Sequence, residues 1–161
     1  MHYYFRPSGN LARAAWADID GKKYYFRASG NMATGWADID GKKYWFDESG
    51  QMVTGWRDVV NDAGVTNHYY FRPSGSMATG WAEIDGEYFY FRPSGNMATG
   101  FTDVTDDAYK RYFDESGRML TGWQVINGNT YYFRASGAMQ TGAATIDGVS
   151  YTFNDKGVLV S

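Results

Sequence analysis

One twenty-residue stretch, residues 35–54, has the sequence GWADIDGKKYWFDESGQMVT and recurs with variation along the whole chain. Its Ser-Gly or Lys-Gly step places a glycine at positions 9, 30, 50, 75, 95, 117, 137 and 157, spaced 20 to 25 residues apart. Such a period is typical of repeat architectures, in which one unit buries its apolar surface only against its neighbours. We therefore predict a solenoid of stacked units.

Each unit has the pattern of a β-hairpin. A short strand such as Trp36–Ile39 and an aromatic strand such as Lys42–Phe46 flank the dipeptide Asp40-Gly41, and such a dipeptide is the strongest signal for a two-residue type I′ turn. The same signal occurs at Asp20-Gly21, Asp85-Gly86, Asn127-Gly128 and Asp147-Gly148. Two units have longer tips instead, at residues 61–64 and 106–108. No helical period is present, so the predicted fold class is all-β, a solenoid of tandem β-hairpin repeats of about 20 residues.

We predict that residues 1–161 form a single array. Its units are residues 1–15 (partial), 16–35, 36–55, 56–80, 81–100, 101–122, 123–142 and 143–161. The last is a predicted C-terminal cap, because Ala143 replaces the tryptophan and Thr152 interrupts the aromatic run. The opening residues match the second half of a later repeat, so we expect the chain to be part of a longer protein.

Composition restricts the possible cores and partners. The 161 residues include 20 Gly, 14 Tyr, 10 Phe and 6 Trp but no Cys, and the formal net charge is −3. An ordinary aliphatic core is not available, so Tyr, Phe and Trp must form it. The acidic charge argues against nucleic acid as a partner. We predict no membrane insertion, since no apolar run is long enough, and no cofactor or metal site.

The turn fixes the register, and the register fixes which side chains share a face. In the second unit, Trp16 pairs with Tyr25 and Asp18 with Lys23, and these four share one face. If that face approaches the next hairpin, Trp16 and Lys23 come near Tyr44. The equivalent predicted sets are Trp36, Lys43 and Tyr69; Trp56, His68 and Phe89; Trp81, Tyr88 and Arg111; Phe101, Lys110 and Tyr131; and Trp123, Thr130 and Tyr151.

These residues resemble a known family. The order Thr-Gly-Trp, turn, Tyr-Tyr-Phe, Ser-Gly and Met is similar to the cell-wall-binding repeats of Gram-positive surface proteins. They include the choline-binding modules of pneumococcal-type hydrolases, the glucan-binding repeats of streptococcal glucansucrases and the C-terminal repeats of large clostridial toxins. The resemblance covers essentially the whole chain and implies ligands held between successive hairpins.

The resemblance implies two candidate ligands. In choline-binding members the cage is implied to use the Gly-Trp tryptophan, an aromatic residue early in the second strand, and a tyrosine of the following unit. Here the second aromatic is mostly replaced, for example by Lys23 and Lys43, and a lysine would repel the fixed charge of choline. Only the Trp81–Tyr88 unit keeps it, with Glu83 beside it, although Arg111 would then be the third wall. The sequence Gly-Lys-Lys-Tyr-Tyr-Phe is more similar to the glucan-binding and toxin repeats, and this resemblance implies a carbohydrate ligand.

We therefore predict a non-catalytic module that attaches a secreted or surface protein to a bacterial cell-wall glycan or another extracellular glycan through aromatic pockets between repeats. The predicted ligand-binding residues are Trp16, Lys23, Tyr44, Trp36, Lys43, Tyr69, Trp56, His68, Phe89, Trp81, Glu83, Tyr88, Trp123, Tyr131 and Tyr151. Recognition of the phosphocholine of teichoic acids is one alternative. A structural spacer or self-association array, with its aromatic ladder buried throughout, is another.

Catalysis has little support in the sequence. Both histidines, His2 and His68, occupy the same repeated slot, and the carboxylates lie almost entirely in recurring positions. A catalytic pair should depart from the repeat, so we predict no enzyme activity.

Three other repeated features have simpler interpretations. Asp18–Lys23 and its equivalents are cross-strand ion pairs. The Met column packs between hairpins. The arginines that follow the aromatic strands form a solvated rim, at Arg6, Arg27, Arg72, Arg92 and Arg134.

Overall fold

A computed structural model describes residues 2–104 and 108–161 of the chain. Fourteen β-strands are found in this part, and no helix. They are β1 Ala15–Ile19, β2 Lys22–Phe26, β3 Gly35–Ile39, β4 Lys42–Phe46, β5 Gly55–Val60, β6 Thr66–Phe71, β7 Gly80–Ile84, β8 Glu87–Phe91, β9 Gly100–Asp103, β10 Lys110–Phe113, β11 Gly122–Ile126, β12 Asn129–Phe133, β13 Gly142–Ile146 and β14 Val149–Phe153. The described residues contain no helix of the length and apolarity that crossing a membrane requires.

Successive strands pair into separate two-stranded antiparallel hairpins, β1 with β2 through β13 with β14. Trp16 lies opposite Tyr25 and Asp18 opposite Lys23, so the predicted register is confirmed. At the first tip, Asp20 has a φ of 52° and Gly21 a φ of 75°. Positive φ at both central residues defines the type I′ turn, which is why Asp-Gly is used there.

The chain divides into two compact units, Met1–Ala78 and Thr79–Ser161. In each unit, backbone hydrogen bonds tie a hairpin to the next: the Met52 amide donates to the Lys23 carbonyl (2.8 Å), and that of Met139 to Lys110 (2.9 Å). Five of the methionines also pack on the glycine of the next Ser-Gly or Lys-Gly step: Met32, Met52, Met97, Met119 and Met139. A Cβ atom on Gly50 would lie 2.3 Å from Met32 Sδ, so a larger residue would displace the methionine, and the φ of 81° at Gly50 also favours glycine. The fold is thus the predicted all-β solenoid of tandem hairpins, and the Met column packs between them as predicted.

The core is a column of phenylalanines that end the aromatic strands. The largest fully buried side chains are Phe46, Phe71, Phe91, Phe113, Phe133 and Phe153. Each of these also forms a β-bridge to the Met or Leu six residues later, such as Phe46 to Met52. The loop that follows each aromatic strand is therefore held against that strand by the bridge, which fixes where the next hairpin begins.

Four of the five rim arginines are exposed, as predicted, and three of the five also hydrogen-bond to backbone carbonyls of the loop that follows. Arg27 Nη2 donates to the Thr34 carbonyl (3.2 Å), and Arg72 Nη1 and Arg92 Nη1 donate to the carbonyls of Met77 (3.0 Å) and Met97 (2.9 Å). These guanidinium groups satisfy carbonyls that the loop leaves without a strand partner. The arginines therefore form a solvated edge and also contribute hydrogen bonds to the loop structure.

Of the two longer hairpin tips predicted from the sequence, the structure describes the first in full and the second only in part. At the first, Asn61 Oδ1 accepts hydrogen bonds from the Ala63 and Val65 amides, each 3.0 Å long, and closes a compact turn between β5 and β6. At the second, Asp106 and its neighbours 105 and 107 lie outside the described residues.

Candidate functional site

The Gly-Trp tryptophan of one hairpin meets two aromatic walls, and we call this arrangement an aromatic corner. The Trp16 ring lies edge-to-face with Tyr25 of its own hairpin at 5.3 Å and with Tyr44 of the next hairpin at 5.0 Å, centroid to centroid. The buried Phe46 lies behind it at 5.8 Å. The structure therefore brings together the predicted pair Trp16 and Tyr44.

The Trp36 corner repeats this geometry. The ring centroids of Trp45 and Tyr69 lie 5.1 Å and 5.0 Å from that of Trp36, and both rings are edge-to-face with it. The Phe71 ring lies behind, with its centroid at 5.8 Å. Edge-to-face aromatic pairs contribute about 0.5–1.5 kcal/mol beyond their buried area. The corners are thus held in shape by their own rings.

Two corners of the second unit follow the same plan. Phe101 replaces the tryptophan in one and lies 4.8 Å from Tyr112 and 5.1 Å from Tyr131. In the other, Trp123 lies 5.0 Å from Tyr132 and 4.9 Å from Tyr151. The predicted partners Trp123 and Tyr151 are therefore in contact, and Tyr131 contacts Phe101.

The Trp81 corner differs in its third wall. Tyr90 lies 5.3 Å from Trp81, but the place of the next hairpin's tyrosine is taken by Arg111, whose guanidinium carbon lies 5.8 Å from the Trp81 ring centroid. Trp81, Tyr88 and Arg111 line one cleft of about 360 Å³ together with Met119, Ala135 and Ser136. Arg111 is only 6 % exposed, so a cation is held in the wall of this cleft. Glu83 lies opposite Tyr88 in the hairpin, as predicted, but is not among the residues that line the cleft.

Sequence reasoning missed the wall that each hairpin supplies to its own tryptophan. These residues are Tyr25, Trp45, Tyr90, Tyr112 and Tyr132. The signal was present, because the register pairs each of them directly with the Gly-Trp position on the same face. A directly opposite aromatic pair is within contact distance in an antiparallel ladder.

A polar pair flanks several corners on the same face. Lys23 Nζ lies 3.6 Å from Asp18, Lys43 Nζ 2.9 Å from Asp38, and Lys110 Nζ 2.7 Å from Asp103. His68 Nδ1 is in contact with Asp58 in the same way. These side chains are about half exposed or more, so each pair contributes only about 0.2–1 kcal/mol to the free energy of unfolding. The pairs matter more for binding than for stability, because they place a hydrogen-bond donor and an acceptor beside the aromatic rings.

The Trp123 corner lacks such a pair. Val125 and Thr130 occupy the two positions, opposite each other in the register. No ion pair flanks this corner among the residues that the structure describes. Its aromatic rings are therefore bordered by a methyl-rich and uncharged surface.

Several corner rings are open to solvent. Trp16 is 40 % exposed, Phe101 40 % and Trp123 39 %, whereas Trp36 and Trp81 are half-buried. A spacer with a buried ladder requires low exposure at Trp16 and Trp123, so this pattern disfavours it. The set Trp56, His68 and Phe89 draws on residues of both compact units and remains a prediction.

Two family models match the chain. The model of the choline-binding repeat matches residues 33–79, 64–100, 78–121, 98–140 and 120–161, and that of a cell wall binding repeat matches residues 15–32. The chain belongs to the choline-binding repeat family. It is a cell-wall-binding repeat module, as the sequence pattern predicted.

Solved structures support this membership. CbpJ from Streptococcus pneumoniae TIGR4 has a TM-score of 0.89 at 31 % identity, over 98 % of this chain and 56 % of CbpJ. Choline binding protein F from the same species, solved in the presence of a peptidoglycan analogue, has 0.87 at 31 % identity, over 98 % and 55 % of the two chains. The choline-binding domain of CbpL, also from S. pneumoniae, has 0.70 at 26 % identity, over 99 % and 82 %. The chain therefore spans little more than half of the first two proteins. No curated protein sequence matches it.

Proposed function

We propose that this module is non-catalytic and attaches its parent protein, at the cell surface or after secretion, to glycopolymers of a Gram-positive cell wall. The observation that carries the proposal is the aromatic corner, an exposed ring such as Trp16 held between two further rings with a donor and an acceptor on the same face. Small-ligand sites combine apolar walls with a few placed polar groups in this manner.

The polar flanks favour a sugar at the lysine-bearing corners. A pyranose ring presents an apolar face that can lie on Trp16 or Trp36. Its hydroxyl groups can accept a hydrogen bond from Lys43 Nζ and donate one to the Asp38 carboxylate, which lie together beside the ring. A quaternary ammonium group would meet the lysine charge instead.

Repetition supplies the strength that one corner lacks. A single open corner offers one or two rings and one polar pair, which supports only weak binding of a monosaccharide. A polymer that engages several corners at once converts the later contacts into intramolecular ones, and avidity then rises by orders of magnitude, about 10²–10⁴. This favours a polymeric ligand over a small free molecule.

Choline is the second candidate, and two features favour it. CbpF and the CbpL domain carry choline binding in their names, and the Trp123 corner offers Tyr132 and Tyr151 with no ion pair among the described residues beside it. Cation–π attraction requires such an electron-rich and uncompensated surface. The sequence instead favours the Trp81–Tyr88 unit as the choline site, where Arg111 stands in the wall.

Titration calorimetry separates the candidates. The chain is titrated with choline chloride and with isomalto-oligosaccharides, and the same titrations are repeated with Trp36→Ala, Trp81→Ala and Trp123→Ala. We expect Trp36→Ala to weaken the oligosaccharide response, and Trp123→Ala to abolish any choline response while sugar binding persists. Loss of the choline response in Trp81→Ala instead would assign choline to the Tyr88 cleft. If no sugar, choline or purified cell wall binds the folded wild-type chain, the proposed function is wrong.

A further inference from the structure

Three residues near the loop after β4 depart from the repeat. We call the equivalent positions of successive repeats a column. Trp45 lies in a column whose other members are Tyr, except for a Thr in the C-terminal unit. Asp47 stands where five other units have Arg. Arg57 is the charged member of a column that otherwise holds Ala, Thr or Gln. The respective columns are Tyr4, Tyr25, Trp45, Tyr70, Tyr90, Tyr112, Tyr132 and Thr152; Arg6, Arg27, Asp47, Arg72, Arg92, Asp114, Arg134 and Asn154; and Ala17, Ala37, Arg57, Ala82, Thr102, Gln124 and Ala144.

These three departures meet at one place. Trp45, Asp47 and Arg57 line a single cleft of about 370 Å³, with Thr34, Gly35, Phe46 and Glu48 as the remaining lining residues. That volume falls within the range of small-ligand sites, about 300–1,000 Å³. Of the Trp36 corner, only Trp45 lines this cleft, whereas Trp36 and Tyr69 do not, so the cleft lies on another side of the Trp45 ring.

The absence of an arginine after β4 changes this loop. In the preceding unit Arg27 Nη2 donates to the carbonyls of Thr34 (3.2 Å) and Trp36 (3.5 Å). Asp47 instead accepts three hydrogen bonds on Oδ1, from the Ser49 amide (2.9 Å), the Ser49 hydroxyl (2.6 Å) and the Gln51 amide (3.0 Å). None of these three bonds uses Oδ2. Asp47 is therefore held in a fixed position with an acceptor atom remaining.

Opposite charges and an aromatic ring face the same space. The Arg57 guanidinium carbon lies 5.9 Å from the Trp45 ring centroid. Arg57 and Glu48 are exposed, and Trp45 and Asp47 are half-buried. The cleft thus offers up to five N–H donors from Arg57, carboxylate acceptors from Asp47 and Glu48, and the apolar surface of Trp45.

Trp45 also carries a donor that needs an acceptor. Its Nε1 is buried and has no hydrogen-bond partner among the residues that the structure describes. Buried polar groups of native proteins are paired in the great majority of cases, with protein, water or ligand. Because this nitrogen is shielded from solvent, a ligand oxygen would reach it only after the Trp45 side chain shifts toward the cleft.

This set of groups suits an uncharged polyol better than a cation. Arg57 already lies over the Trp45 ring, so a quaternary ammonium group would meet a like charge at the place where cation–π attraction acts. Hydroxyl groups both donate and accept, and can therefore use Arg57 and the two carboxylates at once. The apolar face of a pyranose ring matches the remaining aromatic surface.

We propose that the cleft formed by Trp45, Asp47, Glu48 and Arg57 is an additional binding site for a neutral pyranose, which shares only Trp45 with the neighbouring Trp36 corner. The proposal rests on the proposed function in that its ligand is a sugar unit of the same glycopolymer. It adds a singular site to a repetitive array, so one polymer residue is held in a defined place while the corners supply avidity.

The second unit contains a matched region without the site. The loop Asp114–Gly117 repeats the sequence Asp-Glu-Ser-Gly, and Asp114 Oδ1 accepts the same three hydrogen bonds, from the Ser116 amide and hydroxyl and from the Arg118 amide. Here Tyr112 replaces Trp45 and Gln124 replaces Arg57. The variants Trp45→Tyr and Arg57→Gln therefore convert the proposed site to a composition that the chain already folds with.

The test is a two-dimensional ¹H–¹⁵N NMR titration that observes the indole N–H signals of the tryptophans. Trp45→Tyr assigns the Trp45 signal by its disappearance. The probes are isomaltose, N,N′-diacetylchitobiose and choline chloride, each added to the full chain and to Arg57→Gln. We expect the Trp45 signal to shift saturably with one of the two sugars and not with choline. Loss of the charged hydrogen bonds in Arg57→Gln should lower the affinity for that sugar by about tenfold. The responses of the other indole signals to the sugar should be the same as in the wild type.

A Trp45 signal that moves with neither sugar, or that moves with equal affinity in Arg57→Gln, overturns the inference. If the signals of Trp16 or Trp123 still shift, or purified cell walls still bind, the proposed function survives that failure. Both fail together only if no indole signal responds and no cell wall is bound. A shift of Trp45 with choline alone would also contradict the assignment to a sugar.

Discussion

The Trp36 and Trp123 corners have the same aromatic frame but different borders. Each ring lies between a partner of its own hairpin and one of the next, at 5.1 and 5.0 Å for Trp36 and at 5.0 and 4.9 Å for Trp123. Beside Trp36 stands the ion pair Lys43–Asp38, and beside Trp123 stand Thr130 and Val125. The frame is thus held by the same edge-to-face ring contacts in both corners, whereas the two cross-strand positions beside it differ in charge and, by our proposal, set the ligand preference.

The largest expected effect comes from breaking the frame itself. Phe71 is fully buried behind Trp36. Phe71→Ala should lower the free energy of unfolding by about 3–5 kcal/mol, because the truncation removes apolar contacts and leaves a cavity. Denaturant unfolding followed by circular dichroism measures this.

Phe71→Leu is the matched control and should lose clearly less stability, since most of the buried volume remains. A loss below about 1 kcal/mol in Phe71→Ala would contradict the view that the phenylalanine column is the core.

Exchanging the two border positions between the corners should change which ligand each corner prefers. The double variant Asp38→Val, Lys43→Thr gives the Trp36 corner the border of Trp123. Removing the ammonium group should allow cation–π attraction to choline and improve choline binding by about threefold, with weaker oligosaccharide binding. Calorimetric titration of both ligands checks the result.

The reverse exchange, Val125→Asp with Thr130→Lys, is the control and should shift the Trp123 corner toward sugar. If both double variants keep the wild-type preference, the two border positions do not set ligand specificity.

The smallest expected effect concerns pH and the two acidic loops, one in each unit. Partial burial raises the pKa of Asp47, but hydrogen bonds from Ser49 and Gln51 and the charge of Arg57 outweigh it, so the pKa lies below its ordinary value of 3.8. The pKa of Asp114 is lowered in the same way, with Ser116 and Arg118 outweighing burial. A carboxyl whose pKa is depressed by folding stabilises the fold above its unfolded pKa, and this contribution is lost as the pH falls through the folded pKa.

Asp47→Asn should therefore lower the melting temperature slightly near neutral pH, and the difference from wild type should shrink as the pH falls from about 6 to about 2.5. Asp114→Asn should behave alike, since the loop bonds are the same. Thermal unfolding at several pH values measures this, and a difference that grows toward low pH would contradict the assignment.

The sequence predicted the repeated parts of the molecule better than its singular parts. Asp20-Gly21 determined the turn and hence the register that places Trp16 and Tyr44 on approaching surfaces, because side chains alternate strictly in a strand. The role of Arg27 could not be read in the same way, since its carbonyl partners depend on the three-dimensional path of the loop. The cleft at Trp45 and Arg57 was missed for a related reason. Its residues lie in different repeats and different columns, and only stacking brings them together.

Cosedimentation with purified Gram-positive cell walls tests the central claim, that open aromatic corners hold the wall polymer. Wild type is compared with the quadruple variant Trp16→Ala, Trp36→Ala, Phe101→Ala, Trp123→Ala, after circular dichroism has established that both are folded. The wild type should bind, and loss of several weak contacts of one polymer should reduce binding at least about a hundredfold. Equal wall binding by the folded quadruple variant would contradict the account.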